Sequence, residues 1–225
     1  MLELAAFLGN PGKEYSRTRH NAGFLLAEKL SLYAPLSWQK KFKGIYAAMD
    51  RDRFGEFFPG ALISQESPQE TQERASRFHF IKPETYMNRS GESVAAAVSF
   101  FKVKKSDSVI VVHDELELPL GTISLKFSGG LGGHNGLRSM KASFGTADFW
   151  RIRIGIGRPD KRLPGEGGRE GSGEGIVDWV LSDFDAAETE TVNAVLETGT
   201  ELLARAFLNG PESLLPEWAK KAVKI

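Results

Sequence analysis

Short apolar runs alternate with helix-spaced apolar positions along this chain, a pattern typical of an α/β fold. The clearest run, Val109-Ile110-Val111-Val112, predicts a buried strand that ends directly on His113-Asp114-Glu115. Residues 149–157 alternate apolar side chains with Arg151 and Arg153, which predicts a strand with one polar face. We expect further strands at residues 4–9, 43–49, 61–64, 77–82 and 121–127, and helices at 24–32, 94–101, 137–144, 186–208 and 212–223. This order predicts an α/β sheet covered by helices on both faces.

Composition excludes several classes of protein. The chain has 225 residues with 41% hydrophobic and 26% charged side chains, which fits one large globular domain about as well as two small ones. It contains no cysteine, so disulfides, thiolate zinc sites and thiol nucleophiles are excluded. No apolar stretch approaches a ~20-residue membrane span, and the N-terminus lacks the basic region of a secretory signal. We therefore expect a cytoplasmic enzyme or binding protein.

A net charge of zero hides a strong asymmetry along the chain. Residues 126–162 hold eight basic and two acidic side chains, whereas residues 163–225 hold five basic and twelve acidic ones. A basic block of this kind suits a polyanion such as nucleic acid. It is explained equally well as a solvated face whose counter-charges lie on the acidic C-terminal segment. Charge alone leaves both readings open.

The glycine-rich segments do not carry the usual nucleotide or hydrolase motifs. A dinucleotide frame starting at Gly130 would place Asn135 at its third glycine, and Gly12-Lys13 is followed by Glu14 where a phosphate loop needs Ser or Thr. The chain also lacks a G-x-S-x-G elbow and an H-E-x-x-H zinc motif. A serine hydrolase, a zinc hydrolase and a Rossmann enzyme are all disfavoured.

Five polar side chains fall in loops at predicted strand ends, where ligands collect in open α/β sheets. They are Asn10, His20, Asn88, Asp114 and Asn135. A neutral imidazole takes a proton from water near pH 7, and a carboxylate on its other nitrogen fixes the tautomer. Amides bind a carbonyl and its oxyanion without adding charge. Together these groups would hydrolyse an acyl bond directly with water.

Each of these residues also has a simpler explanation. His20 and Asp114 are residue types that are common in surface turns, and Asn10 before Pro11-Gly12 suits ordinary turn chemistry. Asn135-Gly136 is also a typical helix entry. Taken singly, the structural explanation is the better one for every residue. The functional interpretation therefore rests on their occurring together.

The motifs, taken in order, resemble those of the bacterial peptidyl-tRNA hydrolase family. The match runs through most of the chain up to Gly157 and resumes at residues 180–184. The segments that carry it are Leu8-Gly9-Asn10-Pro11-Gly12 with Tyr15, Thr18-Arg19-His20-Asn21-Ala22-Gly23, Lys82-Pro83 through Tyr86-Met87-Asn88 with Ser90-Gly91, His113-Asp114-Glu115-Leu116-Glu117-Leu118-Pro119, Gly132-Gly133-His134-Asn135-Gly136-Leu137, and Arg151-Ile152-Arg153-Ile154-Gly155-Ile156-Gly157.

The resemblance implies a single domain, residues 1–225, with a twisted mixed β-sheet and helices on both faces. It implies a monomeric, cytoplasmic esterase that cleaves the bond between a peptide and the 3′-terminal ribose of tRNA, and so recycles tRNA from stalled translation. It also implies that neither a metal nor another cofactor is used, and that peptidyl-tRNA is bound through its CCA end and acceptor stem.

The same resemblance assigns a role to individual residues. His20 corresponds to the general base, Asp114 to its partner, and Asn10 to the position that distinguishes blocked from free aminoacyl-tRNA. The residues that it implies for substrate or tRNA binding are Tyr15, Tyr86, Met87, Asn88, Asn135, Lys126 and Arg151.

Residues 65–76 and 159–175 look longer than the family pattern and are polar, so we expect surface insertions there. Tyr86 stands where phenylalanine is common, and Leu131 where histidine or a small residue is common. Two other functions remain open from the sequence. A non-catalytic RNA-binding protein is favoured if His20 and Asp114 lie too far apart to touch. A hydrolase of small esters is disfavoured, since it would not need the cationic block.

Overall fold

The parallel strands at the centre of the sheet are those that the apolar runs predict. The computed structural model describes residues 1–61, 76–103, 106–159 and 173–223. Within these ranges eight strands form one sheet in the order β2-β3-β4-β1-β5-β7-β6-β8. The strands are β1 (Leu4–Phe7), β2 (Gln39–Lys41), β3 (Gly44–Asp50), β4 (Arg77–Pro83), β5 (Val109–Glu115), β6 (Thr122–Phe127), β7 (Trp150–Gly155) and β8 (Lys221–Ala222).

The sheet is mixed, with parallel pairing at its centre and antiparallel pairing towards both edges. Strands β4, β1, β5 and β7 are parallel neighbours. The outer strands β2, β3, β6 and β8 pair antiparallel. The carboxyl ends of the four parallel strands consequently meet along one edge, where their loops can form a crevice.

Helices cover both faces of the sheet. They are α1 (Ala22–Lys29), α2 (Arg51–Phe57), α3 (Ser90–Phe101), α4 (Asn135–Phe144), α5 (Gly173–Leu181), α6 (Thr189–Asn209) and α7 (Leu215–Trp218). One buried cluster joins residues of α1, α2, α6 and α7 to one face of the sheet. A second cluster joins α3 and α4 to the other face. Burial of these apolar side chains on both faces is the main source of stability. No helix in the described ranges is both long and apolar enough to cross a membrane.

Helix α1 lies unusually close to the strands because its second residue is Gly23. A Cβ atom at this position would meet Leu8 O at 2.5 Å and Val112 O at 2.6 Å, both of which are backbone atoms. Any side chain here would force the helix away from β1 and β5. Since α1 begins at Ala22, two residues after His20, this close approach holds the histidine near the ends of these two strands.

The structure confirms the predicted fold class and corrects several element boundaries. Residues 212–223 do not form one helix, because α7 ends at Trp218 and β8 adds a short edge strand. Ala61 is not in a strand, and the rest of the strand predicted at 61–64 lies outside the described residues. The predicted insertion at 65–76 is also outside them apart from Ser76. Of the insertion at 159–175, only Pro159 and the first turn of α5 are described.

Candidate active site

The sequence-predicted polar residues converge at the carboxyl edge of the parallel strands. Asn10 follows β1, Asn88 lies in a short 3₁₀ turn after β4, and Asn135 is the first residue of α4. His20 lies in another 3₁₀ turn, immediately before α1. Asp114 was predicted in a loop but is part of β5, since the strand continues to Glu115. A strand holds the carboxylate more rigidly than a loop would.

His20 and Asp114 are in direct contact. The Nδ1 atom of His20 lies 2.9 Å from Oδ1 and 3.1 Å from Oδ2 of Asp114. Both residues are buried. Burial alone would raise the pKa of Asp114, but the imidazoles of His20 and His134 hold that pKa well below its ordinary value. The carboxyl group is therefore ionised at neutral pH.

The pKa of His20 reflects two opposing effects. Burial lowers it, whereas the charge of Asp114 and the hydrogen bond to it raise it, and the net pKa is above the ordinary value. Because the carboxylate accepts a hydrogen bond from Nδ1–H, the neutral ring carries its lone pair on Nε2. The Nε2 atom makes no hydrogen bond to any described residue. His20 is thus prepared to accept a proton on the side that faces the crevice.

A second histidine, His134, also binds the carboxylate, and the sequence analysis missed its role. Its Nε2 atom lies 3.0 Å from Asp114 Oδ1. Its Nδ1 atom accepts hydrogen bonds from the backbone N–H groups of Gly136 and Leu137, so the ring caps the N-terminus of α4. Because Nδ1 accepts hydrogen bonds, the ring proton is on Nε2, and this N–H donates a hydrogen bond to Asp114. The sequence feature that could have indicated this role is the position of His134 directly before Asn135-Gly136, where a helix was expected to begin.

Asn10 is held by two residues in a fixed orientation. Its backbone N–H donates to Asn21 Oδ1 at 2.8 Å, and Asn21 Nδ2 donates to the carbonyl of Asn10 at 3.0 Å. The side-chain oxygen of Asn10 accepts from the backbone N–H of Met87 at 2.8 Å. This contact turns the Nδ2 donor towards the crevice. Asn21 is a further residue whose role the sequence analysis missed.

The backbone is strained at Tyr86, beside Asn10. Tyr86 has φ 59° and ψ 158°, a conformation that is almost restricted to glycine and that costs about 1–3 kcal/mol for any other residue. Its ring is 54% exposed and meets Tyr15 edge-on, with 6.4 Å between the ring centroids. This conformation of Tyr86 directs the next backbone N–H, that of Met87, towards the side-chain oxygen of Asn10. Strain of this kind is typical of functional sites.

Two chambers meet at His20. The first, of about 390 Å³, is bounded by β5, the loop at 131–134 and α5, and it includes His113, Asp114 and Arg138. The second, of about 550 Å³, is lined by Asn10, Tyr15, Tyr86, Met87, Asn88 and Arg89. Four residues border both chambers: His20, Asn135, Val177 and Val180. A ligand that spans both chambers must therefore pass the free Nε2 of His20.

Helix α5, which the sequence analysis missed, forms the roof of both chambers through Val177 and Val180. Arg19 anchors it. The guanidinium of Arg19, only 1% exposed, lies 3.9 Å from the Trp179 ring centroid and forms a 2.8 Å ion pair with Glu188. The Arg19 backbone N–H donates to Ser182 O at 2.9 Å. The residue before the catalytic candidate therefore fixes the end of the roof.

The sequence of this chain is similar to that of known peptidyl-tRNA hydrolases. The family model described as peptidyl-tRNA hydrolase matches residues 4–224. The peptidyl-tRNA hydrolase of Treponema pallidum (strain Nichols) is 42% identical over 223 residues, which are 98% of this chain and 96% of that protein.

The chain belongs to the peptidyl-tRNA hydrolase family.

The fold agrees with this assignment. The crystal structure of peptidyl-tRNA hydrolase from Acinetobacter baumannii covers 97% of this chain and 96% of its own, with a TM-score of 0.72 and 28% identity. A point mutant of the Acinetobacter baumannii enzyme covers 99% and 96%, with a TM-score of 0.74 and 29% identity. As a peptidyl-tRNA hydrolase, the protein is an enzyme that hydrolyses peptidyl-tRNA.

The structure does not support the phosphate contact predicted for Arg151, which is 1% exposed. Its guanidinium donates to the carbonyls of Gly130 at 2.7 Å and Gly129 at 3.0 Å, and so it holds the glycine-rich loop. The alternation of residues 149–157 predicted one polar face for this strand. That prediction was wrong for Arg151, because β7 lies inside the sheet, between β5 and β6, with both faces covered. Burial, together with the neighbouring charge of Arg153, lowers the pKa of Arg151.

The basic block is accordingly smaller in the structure than in the sequence. Arg153 pairs with Glu115 and Arg158 with Glu117, so the counter-charges lie at the end of β5 and in the turn after it rather than on the C-terminal segment. Lys161 and Arg162 lie outside the described residues. In the part of the chain that the structure describes, four basic side chains of the block have no ion pair, and since Arg151 is buried against loop carbonyls, Lys126, Arg138 and Lys141 are left for a polyanion.

His20, Asp114 and His134 also have the composition of a metal-ligand set, with ligand atoms within 4.8 Å of one another. The ligand atoms of each histidine and the aspartate are joined by direct hydrogen bonds of 2.9–3.0 Å. His134 would have to release either the helix cap or its bond to Asp114 in order to bind a cation. The arrangement fits a proton-transfer centre better than a cation site.

Proposed function

We propose that His20 removes a proton from a water molecule that attacks the ester carbonyl joining the peptide to the 3′-terminal ribose of tRNA. As the bond between the acyl carbon and the ribose oxygen then breaks, the imidazolium returns this proton to the departing oxygen. Asp114 stabilises the imidazolium that forms, and His134 keeps the carboxylate in place. The observation that carries this proposal is the 2.9 Å contact between His20 and Asp114 at the junction of two chambers. A binding protein without catalysis would not need this contact, so the enzymatic function is the better supported of the two.

The amides are suited to bind the two carbonyls of the substrate. Asn88 and Asn135 make no side-chain hydrogen bond to a described residue and border the second chamber, so they can donate to the oxyanion. Asn10 Nδ2 faces the same chamber. It can donate to the acyl carbonyl that blocks the α-nitrogen of a peptide. A free aminoacyl group has an ammonium in place of the amide nitrogen and lacks this carbonyl, so the Asn10 donor would stay unpaired. This difference is our physical basis for discrimination.

The chambers differ in chemistry, and we assign one half of the substrate to each. The second chamber, with Tyr15, Tyr86 and Met87, offers apolar and aromatic surface for the peptide. The first chamber, bordered by Arg138 and Arg158, is assigned to the 3′-terminal nucleotides of the CCA end. Lys126 and Lys141 are then available to phosphates of the acceptor stem. Such contacts position the tRNA without reading its sequence.

The remaining expectations are also part of this proposal. We propose a monomer that acts in the cytoplasm as a single domain, with residues 65–76 and 159–175 as surface insertions. The hydrolysis requires neither a metal nor an organic cofactor, since the proposed base activates water directly.

The direct test follows release of labelled N-acetyl-aminoacyl groups from tRNA in the presence of EDTA, with free aminoacyl-tRNA measured in parallel. We expect cleavage of the blocked substrate alone. Tight binding of tRNA without any cleavage would support the RNA-binding alternative instead. Cleavage that stops in EDTA and returns with a divalent cation would show that water is activated by a metal.

Replacing Arg151 or Lys126 by glutamine distinguishes a structural role in the loop from a contact with tRNA phosphate. Lys126→Gln is expected to reduce the slope of log Kd for tRNA against log salt concentration by about 1, because one phosphate contact is lost. Arg151→Gln should leave this slope unchanged and lower the free energy of unfolding by about 1–3 kcal/mol, because the loop carbonyls lose their donor. Salt titrations and urea unfolding measure the two effects. A reduced slope in Arg151→Gln would restore the original prediction of a phosphate contact.

Arg19→Lys tests whether the anchored roof contributes to substrate binding. Lysine keeps the charge but has no planar guanidinium to stack on Trp179. We therefore expect KM to rise about 5- to 30-fold, with the pH profile unchanged. The matched control is Arg17→Lys, since the Arg17 side chain is 78% exposed and makes only a 3.7 Å surface pair with Asp183. Equal KM values for the two variants would show that Arg19 does not act through the roof.

A further inference from the structure

A surface of lysine and phenylalanine side chains lies outside both chambers. The turn between β2 and β3 packs on the C-terminal end of α3, where Phe42 lies 5.3 Å from Phe100 and 5.5 Å from Phe101 between ring centroids. Each segment also carries basic side chains. We use the term Lys-Phe surface for Lys40, Lys41, Phe42, Phe100 and Lys102.

Phe100 is the most exposed large apolar side chain among the described residues, at 60%. The Nζ atom of Lys41 lies 4.0 Å from its ring centroid, so a cation covers one part of the ring. The same Nζ is 4.8 Å from the Phe42 centroid. The rings therefore hold the ammonium group in place, while the remainder of Phe100 faces solvent. An exposed ring beside a fixed positive charge is available for stacking.

The lysines of this surface are also unneutralised. Lys40, Lys41 and Lys102 form no ion pair with any acidic side chain in the described ranges, whereas the neighbouring Lys43 pairs with Glu92 at 3.0 Å. The surface consequently combines excess positive charge with an aromatic side chain that is 60% exposed.

The backbone of both segments is held in left-handed conformations. Phe42, Lys43 and Lys102 have φ of 56°, 55° and 55°, three of the five such non-glycine residues in the described ranges. Asparagine and glycine are the usual residues of such turns. Here the turn is instead occupied by Phe42-Lys43, which places a ring against Phe100 and fixes the shape of the surface.

We propose that the Lys-Phe surface binds single-stranded RNA, with one base stacked on the open face of Phe100 and phosphates beside Lys40, Lys41 and Lys102. Stacking on an aromatic side chain flanked by basic residues is the usual chemistry of sequence-tolerant single-strand binding. An acidic peptide would use the lysines but would gain nothing from the exposed ring. The proposal concerns a surface distinct from the catalytic centre and does not depend on the proposed reaction.

The test measures binding of a fluorescein-labelled ten-nucleotide oligouridine by fluorescence anisotropy at several salt concentrations. Phe100→Leu, which keeps the apolar bulk but removes the aromatic face, is expected to weaken binding about 5- to 30-fold. Phe100→Tyr should retain the wild-type affinity. Lys102→Gln should reduce the salt slope by about 0.7, whereas the control Lys220→Gln should leave it unchanged. Hydrolysis of N-acetyl-aminoacyl-tRNA should remain at the wild-type rate in Phe100→Leu.

Three results would overturn this proposal. The first is oligouridine binding by Phe100→Leu within twofold of wild type. The second is displacement of the label by polyglutamate as effectively as by unlabelled oligouridine, which would indicate a surface for acidic peptides. The third is a loss of tRNA affinity in Phe100→Leu with unchanged oligouridine binding, which would assign the surface to the folded tRNA. None of these results depends on whether His20 is catalytic.

Discussion

His20→Ala is expected to lower kcat for peptidyl-tRNA about 10²- to 10⁴-fold while changing tRNA affinity by less than twofold. Alanine removes the imidazole that, among the described residues, offers an unpaired proton acceptor at the junction of the two chambers. The tRNA contacts proposed for Lys126, Arg138 and Lys141 lie on other side chains and are retained. Single-turnover hydrolysis and tRNA binding, measured on the same preparation, separate the two effects.

His20→Asn provides the matched control, because asparagine can donate to Asp114 and fill part of the space but cannot act as a base at neutral pH. Both variants should therefore lose hydrolysis to a similar extent. Activity within about tenfold of wild type in either variant would exclude general-base catalysis by His20. A parallel loss of tRNA affinity would instead indicate that His20 supports the shape of the site.

Asp114→Asn should lower kcat by about 10²–10⁴-fold and move the acidic limb of the pH–rate profile to lower pH. The sign follows from the causes of the His20 pKa. Burial lowers that pKa and Asp114 raises it above the ordinary value, so removal of the charge leaves only the lowering effect. His20 is then neutral over a wider acidic range, but no carboxylate stabilises the imidazolium or fixes its tautomer.

The measurement is kcat/KM between pH 5 and pH 8, since this ratio reports the base of the free enzyme. Glu115→Gln is a suitable control, because Glu115 is the next residue and pairs with Arg153 at 3.4 Å rather than with His20. Its acidic limb should coincide with that of wild type. An unmoved limb in Asp114→Asn would mean that the carboxylate does not control the protonation of His20.

The elements that sequence patterns predicted well are those that bury apolar residues on both faces. Val109 to Val112 form the first half of β5, where four β-branched side chains leave no competing structure. The edge strand β8 has only two residues, Lys221 and Ala222, and is fixed by pairing with Thr122 and Ile123. Such a strand has no local pattern. Helix α5 was missed because it begins within a glycine-rich stretch that favours a loop.

The sequence motifs predict the polar side chains of the site but not the contacts that orient these side chains. The sequence placed His20 and Asp114 in loops at strand ends but left open whether the two side chains touch. Three orienting contacts depend on side-chain geometry in the folded chain: the cap by His134, the support of Asn10 by Asn21, and the anchoring of α5 by Arg19. Arg151 shows the opposite error, since a charged residue at an alternating position is not necessarily exposed.

The shared carboxylate of Asp114 has a consequence for the order of folding. It joins His20, 94 residues earlier in the chain, to His134, 20 residues later. Because His20 follows β1 in the chain and Asp114 lies at the end of β5, we expect their contact to form only once these two strands have paired, a step that closes a long loop at an entropic cost. Recovery of hydrolysis after refolding therefore reports completion of the central sheet, and helical content measured at the same time would recover earlier.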